Sequence, residues 1–337
     1  MSRPTQHLIR TTGALIVSAA LVSGLVACAA DPSADAATEG SGSVTIGAFS
    51  NGSAKETTLD VSVVEDIRST LPKSVLDSGR LTIGIGNLPA GFPPLAFVGD
   101  DDETQTGSEA DLGRLIAAVF GLEPEFKAST WDNLFVGIDT GATNVGLSNI
   151  TDTEKRKEKY DFASYRGDNL GFEVRKDSDW EFDGDYENLD GLNVTVGAGT
   201  NQEKILLEWQ SKLQAEGKSL EITYFADSNS TNLALAAGKI DANFAPNPSI
   251  AFHVSQTADS ADPTRIAGTV SGAGESLDGL IAATTKKDSG LVEPLAAAIN
   301  YLIDNGQYST WLETWGLQDE AIEKSLVNPP GLPLDNQ

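Results

Sequence analysis

One arginine in this chain stands where an anion could be bound. The run 144–148 has the character of a strand, and the polar residues Asn149 and Thr151 follow it. Arg156 comes next, where the sequence predicts a short helix. Open α/β sheets bind ligands at the carboxyl ends of their strands. Because a helix start and a guanidinium both offer N–H donors, this segment predicts a carboxylate site. Arg156 could instead be one charge on a solvated, lysine-rich face.

A second candidate contact segment follows a later predicted strand. Residues 197–202 read Gly-Ala-Gly-Thr-Asn-Gln and lead into a predicted helix. The glycines would let the backbone approach a ligand, and Thr200 or Asn201 could cap the helix while donating to that ligand. A dinucleotide-binding fingerprint is excluded, because its third glycine would fall at Gln202. The segment could also be an ordinary strand-to-helix turn.

Two aromatic residues complete the candidate pocket. Phe92 stands in a Gly/Pro loop after the first predicted strand of the α/β pattern, and Trp131 begins a predicted helix. Two rings that face one cleft would form an apolar slot beside a carboxylate clamp. Either ring could instead belong to the core, since most aromatic side chains are buried for packing.

The motifs around these residues resemble the bacterial extracellular solute-binding proteins of family 3, the polar-amino-acid receptors of ABC importers. That family carries an arginine six residues before the phenylalanine of a D-F-S motif, and Arg156 and Phe162 keep this interval. The loop at Phe92 resembles the family's Y-P-P-F loop, and residues 197–203 are similar to its S-G-T-x-x-E loop. The resemblance extends over residues 81–317, which is nearly all of the predicted folded chain.

The resemblance implies roles for individual residues. Arg156 would bind the α-carboxylate of a ligand, while Asn149 and Thr151 would add main-chain and hydroxyl contacts. Phe92 would cover the ligand, Trp131 would line its pocket, and the segment Thr200, Asn201 and Gln202 would complete the site from a second lobe. The implied partners are a small carboxylate or amino-acid-like ligand and a membrane-bound ABC permease. We expect a monomer without a cofactor or metal.

One position departs from the family pattern. Members that bind α-amino acids place an aspartate for the ligand's ammonium eight residues after a glycine that here is Gly238, and Pro246 occupies that position. Proline offers no side-chain acceptor, so a ligand without a free ammonium is favoured unless Glu203, Asn247 or another acid replaces it. Asn247 could offer its amide to such a ligand or serve only the turn.

Catalytic chemistry finds little support in the composition. His253 is the one histidine beyond the N-terminal leader, and a helix-surface or packing role is expected for it. Enzymes of the same fold, dehydratases of cyclic carboxylic acids, use a pocket glutamate, for which Glu109 and Glu203 are the candidates. A ligand-sensing ectodomain is a further alternative. The formal net charge of −26 argues against nucleic-acid binding.

The first residues have the features of a bacterial lipoprotein leader. Arg3 and Arg10 precede an apolar run, and Leu-Val-Ala-Cys ends at Cys28, the only cysteine. The run is too short to span a bilayer comfortably, so residues 1–27 predict a signal peptide. Cys28 would then carry the lipid that attaches an extracytoplasmic protein to the cell membrane. Residues 28–43 are small and polar, which predicts a disordered tether.

Alternating strands and helices from residue 80 onward predict an α/β fold. Together with the resemblance, this pattern predicts a two-lobed periplasmic-binding-protein-like fold of type II, in which a two-strand hinge joins two open α/β sheets. The expected divisions are an N-terminal extension on lobe 1 at 44–79, lobe 1 at 80–166 and 284–320, lobe 2 with the hinge crossings at 167–283, and a C-terminal tail at 321–337.

Overall fold

The computed structural model describes residues 41–335. The predicted signal peptide, the lipid attachment point at Cys28 and most of the tether lie outside the described residues. Within residues 41–335, no helix is long and apolar enough to cross a membrane.

A hairpin and two short helices precede the first long strand. Strands β1 (Ser41–Ile46) and β2 (Thr57–Ser62) pair in antiparallel fashion, and helices α1 (Glu65–Arg68) and α2 (Lys73–Ser78) follow. Helix α2 ends at Gly79 in the left-handed conformation, which glycine adopts without strain. The apolar side chains of this extension are buried in the core cluster of the first sheet described below.

Strands and helices alternate as predicted over residues 105–146 and 193–271, whereas elements of one kind follow one another elsewhere. The remaining elements are β3 (Arg80–Gly86), β4 (Phe97–Val98), β5 (Gln105–Thr106), α3 (Ser108–Phe120), β6 (Glu123–Ser129), α4 (Trp131–Thr140), β7 (Val145–Gly146), β8 (Tyr160–Gly167), β9 (Asn169–Arg175), β10 (Asn193–Val196), α5 (Asn201–Ala215), β11 (Glu221–Thr223), α6 (Ser228–Ala236), β12 (Ala242–Pro246), α7 (Asn247–Thr257), β13 (Thr264–Ser271), β14 (Leu280–Lys286), α8 (Val292–Asp304) and α9 (Gln307–Trp315). Short 3-10 helices cover Arg156–Glu158, Tyr186–Leu189 and Gln318–Glu320.

Two five-stranded sheets define two lobes. The first-lobe sheet has the order β6-β3-β7-β14-β8, and the second-lobe sheet has the order β11-β10-β12-β9-β13. In the first, β3 runs parallel to β6 and β7 while β14 runs antiparallel to β8. In the second, β10 runs parallel to β11 and β12 while β9 runs antiparallel to β12 and β13. Each sheet has its own buried core, as the two-lobed prediction requires.

Two crossings connect the lobes. One runs from β8 to β9 through Asp168, and the other runs from β13 to β14. The two crossings are hydrogen-bonded to each other, because the Asp168 N–H donates to the Gly279 carbonyl and the Gly272 N–H donates to the Asp168 carbonyl, both at 2.8 Å. Strand β14 already belongs to the first sheet at Leu280, so first-lobe structure resumes four residues before the expected position 284.

The expected C-terminal tail is an ordered strap along the first sheet. The Asn328 N–H donates to the Phe162 carbonyl at 2.8 Å, and the Ser164 N–H donates to the Leu326 carbonyl at 3.0 Å. Leu332 is hydrogen-bonded through its backbone to Asp152 while its side chain joins the apolar cluster of the second lobe. The strap therefore contacts both lobes beside the hinge.

Candidate functional site

A cavity of about 610 Å³ lies between the lobes and takes its lining from both of them. The first lobe contributes the loop 87–93, the start of α4 and the turn after β7. The second lobe contributes the end of β10, the start of α5, and residues of β9, β12, α6 and α7. The volume falls in the usual range of small-molecule sites. A ligand held here would contact both lobes at once.

Six of the nine sequence-predicted contact residues line this cavity, and three do not. The six are Phe92, Trp131, Asn149, Thr200, Asn201 and Gln202. The three outside its lining are Thr151, Arg156 and Asn247. The structure thus brings both aromatic residues and the start of α5, which come from separate stretches of the sequence, to one cavity.

Arg156 lies beside the cavity, in the gap between the lobes. Its Nη1 donates to the Thr151 carbonyl at 2.9 Å, and its Nη2 points across the gap to the Gly199 carbonyl at 3.4 Å. The guanidinium carbon lies 5.3 Å from the ring centre of Trp131 and 5.4 Å from that of Phe135. Burial lowers the pKa of Arg156 to about 10, which leaves it charged at neutral pH. The carboxylates of Asp168 and Asp152 partly oppose this lowering of the Arg156 pKa.

Trp131 and Arg156 share one acceptor on the opposite lobe. The indole Nε1 of Trp131 donates to the Gly199 carbonyl at 3.3 Å. Gly199 has a φ of 74°, in the left-handed region that favours glycine. Its N–H donates to Glu203 at 2.6 Å, and the Thr200 hydroxyl accepts from the Glu203 N–H at 3.1 Å. This capping arrangement fixes the backbone at the start of α5, where the first lobe contacts it.

Thr151 acts in the hinge and not on the cavity wall. Its hydroxyl donates to Asp168 Oδ2 at 2.7 Å, and Asn201 Nδ2 donates to the same oxygen at 3.2 Å. Burial raises the pKa of Asp168, while these hydrogen bonds and the nearby Arg156 and Arg166 favour its ionised form. In this structure the Thr151 hydroxyl therefore takes part in a contact that joins the lobes through Asp168.

Asn149 is held in place by a buried ionic network. It has a φ of 52°, a left-handed conformation that asparagine tolerates, and its Oδ1 accepts from Arg166 Nη2 at 2.5 Å. Arg166 also binds Glu109 at 3.1 Å and Glu320. Burial disfavours the charge on Arg166, yet the carboxylates of Glu320 and Glu109 raise its pKa above the ordinary value. The network positions Asn149 from behind the cavity wall.

Neither glutamate proposed for dehydratase chemistry lies on the cavity wall. Glu109 is buried and is engaged by Arg166 and the Tyr165 hydroxyl. Glu203 accepts from the Gly199 N–H at the start of α5. Both carboxylates therefore serve the structure behind or beside the cavity.

Pro246 and Asn247 lie at the end of β12, and only the proline lines the cavity. Asn247 begins α7, and its Oδ1 is buried without a hydrogen-bond partner. Pro246 offers no carboxylate, but three acidic residues that sequence reasoning did not select lie elsewhere on the cavity wall. Asp132, Glu173 and Asp227 all line the cavity.

His253 also lines the cavity, which its expected packing or surface role did not anticipate. Its Nδ1 contacts Glu173 on β9, eighty residues earlier in the chain. One signal for Glu173 was available in the sequence, because it is the only acidic residue in the run 169–174, Asn-Leu-Gly-Phe-Glu-Val. The contact between Glu173 and His253 could not be inferred from the sequence, because the two residues are far apart in the chain.

Comparisons with known proteins agree with this architecture. Residues 83–318 match the model of the bacterial extracellular solute-binding proteins, family 3. The arginine-binding protein ArgT of Corynebacterium glutamicum is 30% identical over 268 residues, which cover 79% of this chain and 83% of that protein. The L-cystine-binding protein TcyJ of Escherichia coli K12 is 30% identical over 173 residues, which cover 51% of this chain and 60% of that protein.

Solved structures give the same result. A crystal structure of a mutant of ArgBP from T. maritima superposes with a TM-score of 0.61 at 26% identity, over 72% of this chain and 97% of that one. The family match covers more than half of the chain and includes the segments that line the interlobe cavity. The chain therefore belongs to the bacterial extracellular solute-binding proteins of family 3.

Proposed function

We propose that this protein captures an amino acid or amino-acid derivative by closing its two lobes and delivers it to an ABC permease. The observation that supports this most strongly is the cavity lined by both lobes, with Arg156 and Trp131 directed at Gly199 across its edge. The amino-acid-binding relatives support the same ligand class, since their names specify arginine and L-cystine.

The ligand carboxylate would be received between Arg156 and the start of α5. The contact from Arg156 to Gly199 is long at 3.4 Å, and a carbonyl is a weaker acceptor than a carboxylate. A ligand carboxylate would therefore replace it with shorter, charge-assisted hydrogen bonds. The first N–H groups of α5 add donors at the same edge, and the helix dipole favours a negative charge there.

Ligand binding would stabilise the closed arrangement because both halves of the site are then used at once. The hydrogen bonds to Asp168 from Thr151 and Asn201 lie in the hinge. The contact between Trp131 and Gly199 joins the lobes at the edge of the cavity. A ligand shifts such an equilibrium only by its difference in affinity for the open and closed states. Contacts to both lobes provide that difference.

Location and attachment follow from the family and the leader. The family is extracellular, so the folded part functions outside the cytoplasm. We propose that Cys28 carries a lipid that keeps the protein at the membrane beside its permease, and that the protein acts as a monomer. Two measurements would test the anchor. The mature N-terminus should be Cys28, which shows cleavage after residue 27, and the protein should take up a radioactive or alkyne-labelled fatty acid. We expect the Cys28→Ser variant to lose the label.

A thermal-shift screen tests the proposed ligand class. The panel should contain amino acids, opines, sulfonates and simple carboxylates. A ligand at 100 times its dissociation constant stabilises the folded state by about 2.7 kcal/mol. We expect at least one amino acid or derivative to raise the melting temperature. A complete absence of response, with turnover of a cyclic carboxylic acid instead, would contradict the receptor function.

A further inference from the structure

Three polar side chains lie side by side across adjacent strands of the second-lobe sheet. Thr195 on β10 is paired with Asn243 on β12, and Asn243 is paired with Glu173 on β9. All three line the interlobe cavity. We refer to Thr195, Asn243 and Glu173 as the polar row.

The polar row occupies the sheet face opposite the second-lobe core. Side chains alternate between the two faces of a strand, and the neighbours Val194, Phe172 and Phe244 are buried in the apolar cluster. Yet Glu173 is only 1% exposed, so the polar row is not an ordinary solvated surface. Burying a carboxylate is costly unless it is paired and hydrogen-bonded.

Glu173 is oriented by two neighbours and keeps capacity for a third. Its Oε2 accepts from Asn243 Nδ2 at 3.2 Å, and its Oε1 contacts His253 Nδ1. A carboxylate offers about four acceptor positions, so these contacts do not saturate it. Because Glu173 lines the cavity, the remaining acceptor positions are available to a ligand.

The charge of the cavity wall indicates what this ligand group would be. Asp132, Glu173 and Asp227 contribute carboxylates, whereas no lysine or arginine occurs among the lining residues that the structure describes. A positively charged group would form charge-assisted hydrogen bonds at the polar row, and a negatively charged group would be repelled from the polar row.

We propose that the polar row is a subsite for the far end of the ligand and that Glu173 selects a guanidinium or ammonium group there. The inference rests on the proposed function, because it assumes that an amino-acid-like ligand enters the cavity. It identifies Glu173 as the residue that discriminates between ligands with cationic and with neutral side chains. Glu173 would hold the cation, while Asn243 and His253 would position the carboxylate.

The test compares L-arginine with L-citrulline, whose neutral urea group replaces the guanidinium. Isothermal titration of the full chain should give about 10- to 150-fold tighter binding of L-arginine, the range expected for a hydrogen bond to a charged group. In Glu173→Gln, which keeps a side chain of the same shape, this preference should fall to within about threefold. Asp179→Asn removes the same charge from an exposed position outside the cavity and should retain the full preference.

The wild-type ratio keeps the proposal testable even if Glu173→Gln fails to fold. Equal or tighter binding of L-citrulline by the wild type would overturn the cationic subsite while leaving an amino-acid receptor. An unchanged preference in folded Glu173→Gln would show that Glu173 and His253 form only a structural pair. No binding of any amino acid or derivative would instead contradict the proposed function itself.

Discussion

The indole Nε1 of Trp131 lies 3.3 Å from the carbonyl oxygen of Gly199, so a first-lobe side chain is hydrogen-bonded to the second lobe. The same carbonyl is the acceptor for Arg156 Nη2. Both donors come from the segments predicted to line a pocket, and the acceptor precedes the capped start of α5. This meeting point links lobe closure to the residues that would hold a carboxylate.

Trp131→Phe tests whether this contact supports the closed state. The substitution keeps an aromatic ring but removes the N–H donor. A net hydrogen bond contributes about 0.5–1.5 kcal/mol, so we expect affinity for the best ligand of the thermal-shift screen to fall by about threefold to tenfold. Isothermal titration measures the change. Trp180→Phe is the matched control, because the indole N–H of Trp180 donates to the Asn188 carbonyl within the second lobe and should not affect affinity. An equal loss of affinity in Trp180→Phe would refute the closure role of Trp131.

Asp152 should make the protein less stable as the pH rises. It is fully buried, and burial raises its pKa to about 7, although Lys157 lies 3.2 Å away and opposes the shift. Between its ordinary pKa and about 7, the folded state holds a proton that the unfolded state releases, so the free energy of unfolding falls with increasing pH in that window. Urea unfolding at pH 5 and pH 8 should show that Asp152→Asn abolishes about 1–3 kcal/mol of this decline.

The control for that measurement is Asp179→Asn, an exposed aspartate in the second lobe. It should leave the difference between pH 5 and pH 8 unchanged. Lys157 keeps its contact with Glu154 at 2.7 Å in Asp152→Asn, so no buried lysine is left unpaired. Identical pH dependence in Asp152→Asn and the wild type would contradict a raised pKa for Asp152.

Arg166 should be among the most important polar residues for stability. Arg166→Met leaves the carboxylates of Glu109 and Glu320 buried without their cation. Removal of one partner from a buried ion pair costs about 3–5 kcal/mol. Denaturant unfolding should show a loss in this range. Arg80→Met removes an exposed arginine that pairs with Glu123 and should cost less than about 1 kcal/mol. Similar losses in both variants would contradict the network's role.

The C-terminal strap should contribute to the stability of the folded protein. Leu332 is 1% exposed, and Leu332→Ala should reduce the free energy of unfolding by about 2–5 kcal/mol because it removes buried apolar groups and leaves a cavity. Leu334→Ala, at a side chain that is 55% exposed, should change it by less than about 0.5 kcal/mol. Thermal or urea unfolding distinguishes the two. A loose tail would make both substitutions equally mild.

Much of the fold could be predicted from local patterns in the sequence. The apolar residues Leu112, Leu115, Ile116, Val119 and Phe120 have the spacing of one helix face, and all five are buried in α3. The two-lobed arrangement was confirmed by the two sheets and by the solved relatives. The ordered strap at 321–335 could not be predicted in this way, because its partners on β8 are about 160 residues earlier in the chain.

The segments that line the cavity could be identified from the sequence, but the directions in which their side chains point could not. Asn149, Trp131 and the start of α5 came from spacing and resemblance, and they line the cavity. Whether Thr151 faces a ligand depends on Asp168, which a sequence pattern does not place beside it. The pairing of Glu173 with His253 is equally non-local. Long-range contacts between elements decide such orientations, so periodicity alone does not determine them.

Titration of Arg156→Ala with the best ligand of the screen tests the central claim most directly. Lys155→Ala is the matched control, because that neighbouring lysine is exposed and pairs only with Glu158 among the described residues. Hydrogen bonds between charged groups contribute about 1.5–3 kcal/mol each, so we expect Arg156→Ala to weaken binding at least a hundredfold and Lys155→Ala to leave it unchanged. Wild-type affinity in a folded Arg156→Ala protein would contradict carboxylate recognition by Arg156.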